Sequence, residues 1–276
     1  MAGSNLVRVG SQLLITTNNF GSSQYGCDNF ESVLLHIKKS GAGTTPASSP
    51  DVIYITIQAG TETIANRVPL SAFASLNKFL AGTGVNTNWS NSTSTGEAIL
   101  EVDTGTHYLD KGAELSVSIH NGTNASITAD IYAKVNGIST PSPQKWLWRT
   151  DTAFMLPLVE SLYALDLDGT ANMLEETGNC TLQYGTENVL VPFSAGCAVV
   201  NADSIGDEPI ENMSLIYDGI PRSMQINTTD SAGTIGFLAQ VKEVTSQTMV
   251  RKARTWIPNK FKSLSKKERV VLAQGH

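Results

Sequence analysis

The amino-acid sequence predicts an all-β protein in which one chain forms two similar halves. Three observations lead to this prediction. Short alternating or β-branched runs recur along the 276 residues, clusters of Gly, Asn, Ser and Pro separate these runs, and several segments of the first half return in the same order in the second half. Many short strands with regular turns and no strand–helix alternation are typical of β-sandwiches and barrels.

The strand predictions follow from period-2 alternation, in which every second side chain faces the core. Residues 114–120 are a clear case, and Asn121-Gly122 directly after them predicts a tight hairpin turn. The spacing of Leu70, Phe73, Leu76 and Leu80 predicts one helix over residues 70–80. The predicted strands are residues 12–17, 32–37, 52–58, 64–68, 98–102, 114–120, 125–135, 160–167, 180–184, 188–192, 197–200, 213–217, 223–227 and 234–241.

The internal repeat is the most informative pattern. Thr56-Ile-Gln-Ala-Gly-Thr-Glu62 shares five of its seven residues with Thr181-Leu-Gln-Tyr-Gly-Thr-Glu187. Shortly afterwards, Val68-Pro-Leu-Ser-Ala72 matches Val191-Pro-Phe-Ser-Ala195. Two weaker matches flank these, residues 30–34 with 159–163 and residues 133–135 with 239–241. A repeated order with changes in the intervening lengths indicates one fold used twice.

The domain boundary is predicted in the Pro- and Ser-rich segment 136–144. Each half then contains seven or eight strands, the number that a jelly roll requires. We therefore expect a first jelly-roll barrel at residues 1–137, a linker at 138–150, a second barrel at 151–245 and a basic C-terminal tail with a short helix at 246–276. Within the linker, Lys145-Trp-Leu-Trp-Arg149 predicts a half-buried strand that packs both indole rings.

The charge of the chain is polarised. From Arg251 to His276 eight basic residues face one acidic residue, a net charge of +7, which leaves −13 for residues 1–250 of a chain whose total is −6. Basic residues interleaved with aromatic ones suit an anionic bilayer surface. The alternatives for this segment are contact with a neighbouring capsid subunit, contact with nucleic acid, or no specific partner. The expected contact residues are Arg251, Lys252, Arg254, Trp256, Lys260, Phe261, Lys262, Lys266, Lys267 and Arg269.

Two jelly rolls joined in one chain of this size, with a helix after Val68-Pro69 and a basic tail, resemble the major capsid proteins of the double jelly-roll virus lineage. Within that lineage, the chain is most similar to the compact proteins of small icosahedral bacteriophages with an internal membrane. The resemblance implies a homotrimer that forms a pseudo-hexagonal capsomer, with upright barrels and a tail facing the membrane. It also implies contacts with other capsid proteins, such as penton or minor membrane proteins, and a location in the virion. Nucleic acid is not an expected partner.

Two rival functions were weighed against this interpretation. Leu165-Asp-Leu-Asp-Gly-Thr170 resembles the first motif of haloacid-dehalogenase-type phosphohydrolases, in which Asp166 would be the nucleophile and Asp168 the acid/base. Gly206-Asp207-Glu208 resembles the later magnesium-binding motif of those enzymes. No Lys occurs between Lys145 and Lys242, however, and the surrounding strands do not alternate with helices. The second rival is a receptor- or glycan-binding β-sandwich, for which an aromatic content of 7% is low.

The remaining signals predict a protein without catalytic residues, cofactors or metals. Cys27, Cys180 and Cys197 are an odd number without the paired spacing of a zinc site, so we expect them to be small buried hydrophobic residues. The four histidines are scattered. The N-terminal residues contain no basic segment followed by an apolar stretch, which predicts synthesis in the host cytoplasm without secretion.

Overall fold

A computed structural model describes residues 5–40, 52–81, 87–89, 96–135, 142–167, 172–203, 209–231 and 233–242. Fifteen strands and two helices lie within these ranges. The strands are β1 (Asn5–Ile15), β2 (Asn19–Tyr25), β3 (Asn29–Ser40), β4 (Ile53–Ala59), β5 (Glu62–Pro69), β6 (Thr87–Trp89), β7 (Gly96–Tyr108), β8 (Leu115–Asn121), β9 (Ser126–Val135), β10 (Ser142–Arg149), β11 (Ala153–Asp166), β12 (Asn179–Tyr184), β13 (Glu187–Pro192), β14 (Met213–Thr228) and β15 (Ile235–Lys242). The helices are α1 (Leu70–Ala81) and α2 (Phe193–Asp203).

The first half folds as a jelly roll of two antiparallel four-stranded sheets. One sheet has the order β1-β9-β3-β7 and the other the order β2-β8-β4-β5. Alternate side chains of β8, Leu115, Val117 and Ile119, are buried between the sheets, while the intervening residues are only partly buried. This alternation is what a sheet with one face on the core requires.

The second half builds the same two sheets from fewer strands, because β11 and β14 each pass through both. The C-terminal part of β11 and the N-terminal part of β14 lie in the sheet β10-β15-β11-β14. The N-terminal part of β11 and the C-terminal part of β14 lie in the sheet β11-β14-β12-β13. β11 bends between Leu156 and Val159, where Leu158 has φ 45°. β14 bends around Gly219-Ile-Pro221. Six strands thus provide the eight strand segments of a jelly roll, and the predicted fold of two tandem jelly rolls is confirmed.

The repeated sequence occupies equivalent places in the two barrels. Gly60 and Gly185 both begin the two-residue turn of a hairpin, with φ 59° and 58°. Only glycine adopts this left-handed conformation without a steric cost. β5 has eight residues where β13 has six, and the extra length lies at an irregularity that contains Arg67 at φ 49°. A bulge therefore explains why the spacing between the matched segments differs.

Helix α2 corrects one prediction. Residues 197–200 were predicted as a strand, but they lie in a helix that begins directly after Pro192, as α1 begins directly after Pro69. Phe193, Cys197 and Val200 are buried at helical spacing. A Cβ on Gly196 would lie 2.2 Å from the Ser214 side chain, so glycine allows α2 to approach β14 closely. Tertiary packing outweighs the β-propensity of this short run.

The turn after β8 corrects a second prediction. β8 and β9 belong to different sheets, so Asn121-Gly122 does not close a two-residue hairpin. Instead the buried Asn121 amide donates to the carbonyl oxygens of Ile15 (3.0 Å) and Ala125 (2.8 Å). Its oxygen accepts from the backbone N–H (3.0 Å) and hydroxyl (2.6 Å) of Thr123. The side chain thus satisfies backbone groups where the chain crosses between sheets.

Two further segments differ from their predictions. The expected linker at 138–150 contains β10, so the predicted strand at Lys145–Arg149 exists and pairs with β15. β2 was not predicted, because its sequence Asn-Phe-Gly-Ser-Ser-Gln-Tyr has no apolar alternation and only Gly21 is buried. A Cβ on Gly21 would lie 2.5 Å from Ile15, which explains why no larger residue fills this position.

The buried side chains form two hydrophobic cores. The first contains the interior of the first barrel and extends into the second half through Trp146, Tyr163, Leu165 and Leu238. The second contains the interior of the second barrel, including Cys180 and Cys197. Cys27 is partly buried against the first core. All three thiols are free, and the two in the second core are buried as small apolar residues, whereas Cys27 is less buried than predicted.

The two barrels have the same orientation along their strands. β10 runs parallel to β5 and antiparallel to β7, which places the β4–β5 and β12–β13 turns and the bends of β11 and β14 at one end. We call this the short-turn end; it comprises residues 26–28, 60–61 and 109–114 of the first barrel and 157–158, 185–186 and 219–221 of the second. Asn5, which pairs with Val135, and Lys242, the last described residue, also lie at this end. The helices and longer connections lie at the opposite, long-loop end.

Candidate subunit interface

The two barrels of the chain meet at a contact that we call the junction. β10 of the second barrel pairs with β7 of the first at Ser142–Thr106 and Pro143–Gly105. It also meets β5 at Trp146–Ala65. A Cβ on Gly105 would lie 2.1 Å from the Ser142 carbonyl oxygen, so this close approach of two backbones requires glycine.

Trp146 is the centre of the junction. Its side chain is 1% exposed, and its ring meets the Phe73 ring of α1 edge-on at a centroid distance of 5.9 Å. The indole N–H donates to the Asp103 carbonyl oxygen at 2.5 Å, which satisfies the polar group of an otherwise apolar side chain. Lys145 beside it forms an ion pair with Glu62 of β5 at 2.8 Å.

Helix α1 is enclosed between the barrels. Ser75 donates from its hydroxyl to the Asn212 side-chain oxygen at 3.3 Å. The Phe79 ring lies 5.9 Å from the Tyr163 ring in an edge-on arrangement. Burial raises the pKa of Tyr163 to about 12, because the phenolate would lose its hydration there. The face of the second barrel that covers α1 is apolar and contains Tyr163, Leu165, Met213, Leu215 and Leu238.

The same strand register recurs in the first barrel, where the corresponding face lacks a partner within the described chain. In the first barrel Leu34 of β3 lies opposite Tyr132 of β9, and in the second barrel Tyr163 of β11 lies opposite Leu238 of β15. In the outer strands, Leu6 lies opposite Lys134 as Trp146 lies opposite Gln240. Leu6 is 57% exposed, whereas Trp146 is buried by the neighbouring barrel. The first barrel therefore exposes a copy of the surface that the second barrel buries.

The corresponding helix shows the same difference. Leu76 of α1 is 2% exposed, and its counterpart by position after the shared proline, Val199 of α2, is 43% exposed. Ala195, Ala198 and Ala202 of α2 are also exposed. These are the counterparts of Ala72, Ser75 and Phe79, which the second barrel covers. The chain thus carries both complementary halves of a second junction, one on each barrel, and neither is occupied within the described residues.

The exposed face of the first barrel has an apolar centre and a charged rim. Leu34, Tyr132 and Ile99 form the centre. In the rim, Arg8 binds Asp130 at 2.8 Å, Glu97 contacts His36 and lies 3.2 Å from Lys38, and Lys134 lies 3.1 Å from Glu31. Such a pattern is typical of protein interfaces.

The rim carboxylates are held in their charged form. Hydrogen bonds from the Arg8 side chain and the Gln12 backbone N–H lower the pKa of Asp130. Contacts with His36 and then Lys38 lower the pKa of Glu97. Both groups are still partly open to solvent, so the ion pairs contribute more to orientation and specificity than to stability.

Strand β13 ends the second barrel's sheet with an apolar edge. Its equivalent in the first barrel, β5, contacts β10, but β13 pairs only with β12 in the described part of the chain. Leu190 is 60% exposed and the neighbouring Val189 is also exposed. An open edge with exposed apolar side chains favours association with another strand or surface.

A cleft of about 460 Å³ lies beside the junction. It is lined by Glu31, Asn77, Glu101, Asp103, Lys134 and Trp146, among others. Burial, more than the adjacent carboxylates, raises the pKa of Asp103. In the described part of the chain no group of three or more His, Cys, Asp or Glu side chains could hold a metal ion.

An aromatic group lies on the other sheet of the first barrel. The ring of Phe20, which is largely exposed, lies 4.5 Å from the His120 ring in a tilted arrangement, and Arg67 lies 5.0 Å from the Tyr54 ring. Burial and then the Arg67 charge lower the pKa of His120. This is the place where the rival glycan-binding function would find stacking surfaces that the composition did not predict.

The contact residues predicted from the sequence, from Arg251 to Arg269, lie outside the described residues. The described chain ends at Lys242, whose ammonium lies 3.5 Å from Glu160. Of the phosphohydrolase-like motifs, Asp168 and residues 206–208 also lie outside. Asp166 ends an antiparallel strand and pairs with Ile235, unlike the strand–helix setting which that motif requires. No helix in the described ranges has the length and apolar character needed to cross a membrane.

Comparison with known proteins identifies the fold. The crystal structure of the STIV major capsid protein (MCP) matches with a TM-score of 0.67 at 10% identity, over 90% of this chain and 98% of that one. The PBCV-1 virus capsid matches with a TM-score of 0.53 at 10% identity, over 88% and 94%. PBCV-1 VP54, fitted into a reconstruction of the virophage Sputnik, gives 0.51 at 8% identity, over 88% and 94%. No protein-family model and no curated protein sequence matches. The fold is that of the double jelly-roll capsid proteins.

Proposed function

We propose that this chain, whose fold is that of the double jelly-roll capsid proteins, is a structural capsid protein that assembles into head-to-tail trimers. The observation that carries the proposal is the second, unoccupied junction. α2 and β13 of one copy would meet the first-barrel face containing Leu6, Leu34 and Tyr132 of the next copy, as α1 and β5 meet the second barrel within the chain.

This contact is heterologous, because each copy contributes two different surfaces. Heterologous contacts form closed rings when the rotation per copy closes, and open filaments when it does not. The parallel barrels and the repeated register support closure, because the second junction reuses the geometry of the first. Three copies of two barrels would give a pseudo-hexagonal ring that can tile a shell.

The junction between copies is expected to be weaker than the junction within the chain. Trp146 and Trp148 within the chain correspond by register to Leu6 and Arg8, and Tyr163 corresponds to Leu34. Smaller apolar residues and exposed ion pairs replace large aromatic ones, so this contact can form after the chain has folded.

The basic tail belongs to the proposal as a membrane-facing segment. The chain continues past Lys242 from the short-turn end, and its cations from Arg251 to Arg269 suit anionic lipid. In the proposed virion, this end would face an internal membrane and the long loops would face outward. Lattice contacts with other copies, and with penton or minor membrane proteins, would complete the shell after synthesis in the host cytoplasm.

Light scattering of the purified full chain tests the proposal. A mass three times the 29.5 kDa of the chain, or large closed particles, is expected. Val199→Glu should reduce it to one chain by placing a charge in the second junction, whereas Leu174→Glu, the same change at a similarly exposed residue outside α2 and β13, should retain the trimer. A monomeric wild-type chain would contradict the proposal.

A further inference from the structure

The second barrel carries an exposed apolar tip at its short-turn end. Two bends form it, Pro157-Leu158 in β11 and Ile220-Pro221 in β14, and we call these four residues the apolar tip. They lie at one level, because Val159, directly after the first bend, pairs with Arg222, directly after the second. Ile220 is 72% exposed. Removing the side chain of such an exposed isoleucine from water lowers the free energy.

The fold holds the apolar tip in place. The Tyr217 hydroxyl donates to the Ile220 carbonyl oxygen at 2.6 Å. Leu158 adopts φ 45°, a conformation that is unfavourable for a leucine, and its N–H donates to the Ser223 hydroxyl at 3.4 Å. Strain of this kind persists only where surrounding contacts impose it. The tip is therefore a built feature that presents Ile220 outward, while Leu158 packs in part against the second core.

Two basic side chains, each beside a carboxylate, lie next to the apolar tip. Arg222 follows it directly, 4.9 Å from the Tyr184 ring and 3.8 Å from Glu187. Lys242 contacts Glu160, two residues from Leu158. Beyond Lys242 the sequence carries eight basic residues against one acidic residue from Arg251 onward, with Trp256 and Phe261 among them. Apolar side chains next to a basic segment are the combination that binds anionic bilayer surfaces.

The first barrel lacks this feature at the corresponding connection. Residues 109–114 contain Asp110, Lys111 and Glu114, all exposed, where the second barrel has Ile220 and Pro221. The apolar tip is therefore not a consequence of the jelly roll itself. It occurs on the second barrel, at the end where Lys242, the last described residue before the basic segment of the sequence, also lies.

We infer that the apolar tip inserts into the surface of an anionic lipid bilayer, next to the region where the basic segment binds lipid headgroups. The inference rests on the proposed trimer only for the strength of lipid binding, because a trimer would present three tips in one plane and bind multivalently. The ligand is the bilayer surface, where Ile220 would lie among the acyl chains near the headgroups and Arg222 at the level of the headgroups.

Vesicle flotation with the full chain tests the inference, using vesicles of phosphatidylcholine alone and of phosphatidylcholine mixed with phosphatidylglycerol. Ile220→Ser should weaken binding to the mixed vesicles by about five-fold or more, and Ile220→Trp should strengthen it, since indole rings favour the interface. Leu174→Ser is the control, because Leu174 is an apolar residue at the long-loop end and is 42% exposed; it should bind as wild type does.

Equal binding by wild type, Ile220→Ser and Ile220→Trp would overturn the inference, as would a wild-type chain that does not bind the mixed vesicles. Light scattering of the same samples separates the two proposals. A trimer whose lipid binding does not depend on residue 220 would contradict the insertion of the apolar tip and leave the proposed trimer intact. A monomer whose binding depends on position 220 supports the tip and contradicts the trimer.

Discussion

The indole N–H of Trp146 donates to the carbonyl oxygen of Asp103 across the junction, at 2.5 Å. This bond joins the first strand of the second barrel to the last strand of one sheet of the first barrel, and the ring itself fills the space beside Phe73. One side chain therefore links the two jelly rolls by both packing and hydrogen bonding.

Trp146→Ala should destabilise the whole chain by about 3–5 kcal/mol, the usual cost of removing a buried tryptophan. Trp146→Phe keeps most of the ring but leaves the Asp103 carbonyl unpaired, so its cost should be smaller, about 1–3 kcal/mol. Urea unfolding followed by circular dichroism measures both. Equal stability of Trp146→Ala and wild type would show that the junction contributes little to folding.

Gly105→Ala should be much more damaging than the same change at Gly112. Both residues have positive φ, 61° and 87°, so both substitutions carry a backbone cost of about 1–2 kcal/mol. Only Gly105 also faces a backbone atom, the Ser142 carbonyl oxygen. Thermal unfolding of the two variants isolates the cost of the close approach, and similar melting temperatures would contradict the described junction.

The thiols should react in a fixed order. Burial raises the pKa of Cys180 to about 12 and also raises the pKa of Cys197, so neither forms the reactive thiolate at pH 8 while the chain is folded. Cys27 is partly exposed and should react first with a chromogenic disulfide reagent. One thiol should be released in the native chain and three in denaturant. Rapid release of all three from native protein would contradict this burial.

Stability should fall in alkaline solution because of Tyr163. Burial raises its pKa from 10.0 to about 12, so the folded state favours the protonated phenol. The contribution is fully present below pH 10 and is lost as the pH rises towards 12. The urea midpoint of wild type should drop more between pH 9 and pH 11 than that of Tyr163→Phe, which has no phenol to ionise. Parallel losses in the two proteins would exclude this cause.

Much of the fold could be predicted because the repeat occupies real structural positions. The shared Gly60 and Gly185 turns and the shared Val-Pro pair mark the same hairpin and the same helix start in both barrels. The match around Pro192 already implied α2, but the β-branched pair Val199-Val200 outweighed it in the strand prediction. Asn121-Gly122 misled because a local turn preference does not reveal which sheet the next strand joins.

The candidate interface could not be predicted from the sequence. Leu34 and Tyr163 both follow a Glu-Ser pair in alternating strands, and only the packing of the barrels separates the half-buried Leu34 from the buried Tyr163. The apolar tip has the same origin, since an Ile-Pro pair within a predicted gap between strands gives no sign of its exposure. The basic tail, which the sequence did single out, lies outside the described residues.

Disulfide trapping tests the head-to-tail junction most directly. Phe79 and Tyr163 meet within the chain, and their counterparts are Ala202 and Leu34, so the double variant Leu34→Cys/Ala202→Cys should form disulfides between copies on mild oxidation. The account predicts covalent dimers and trimers on a non-reducing gel, with the ladder ending at three copies. Wild type and each single variant control for the native thiols. A double variant that stays monomeric, or a ladder that continues beyond three copies, would contradict the account.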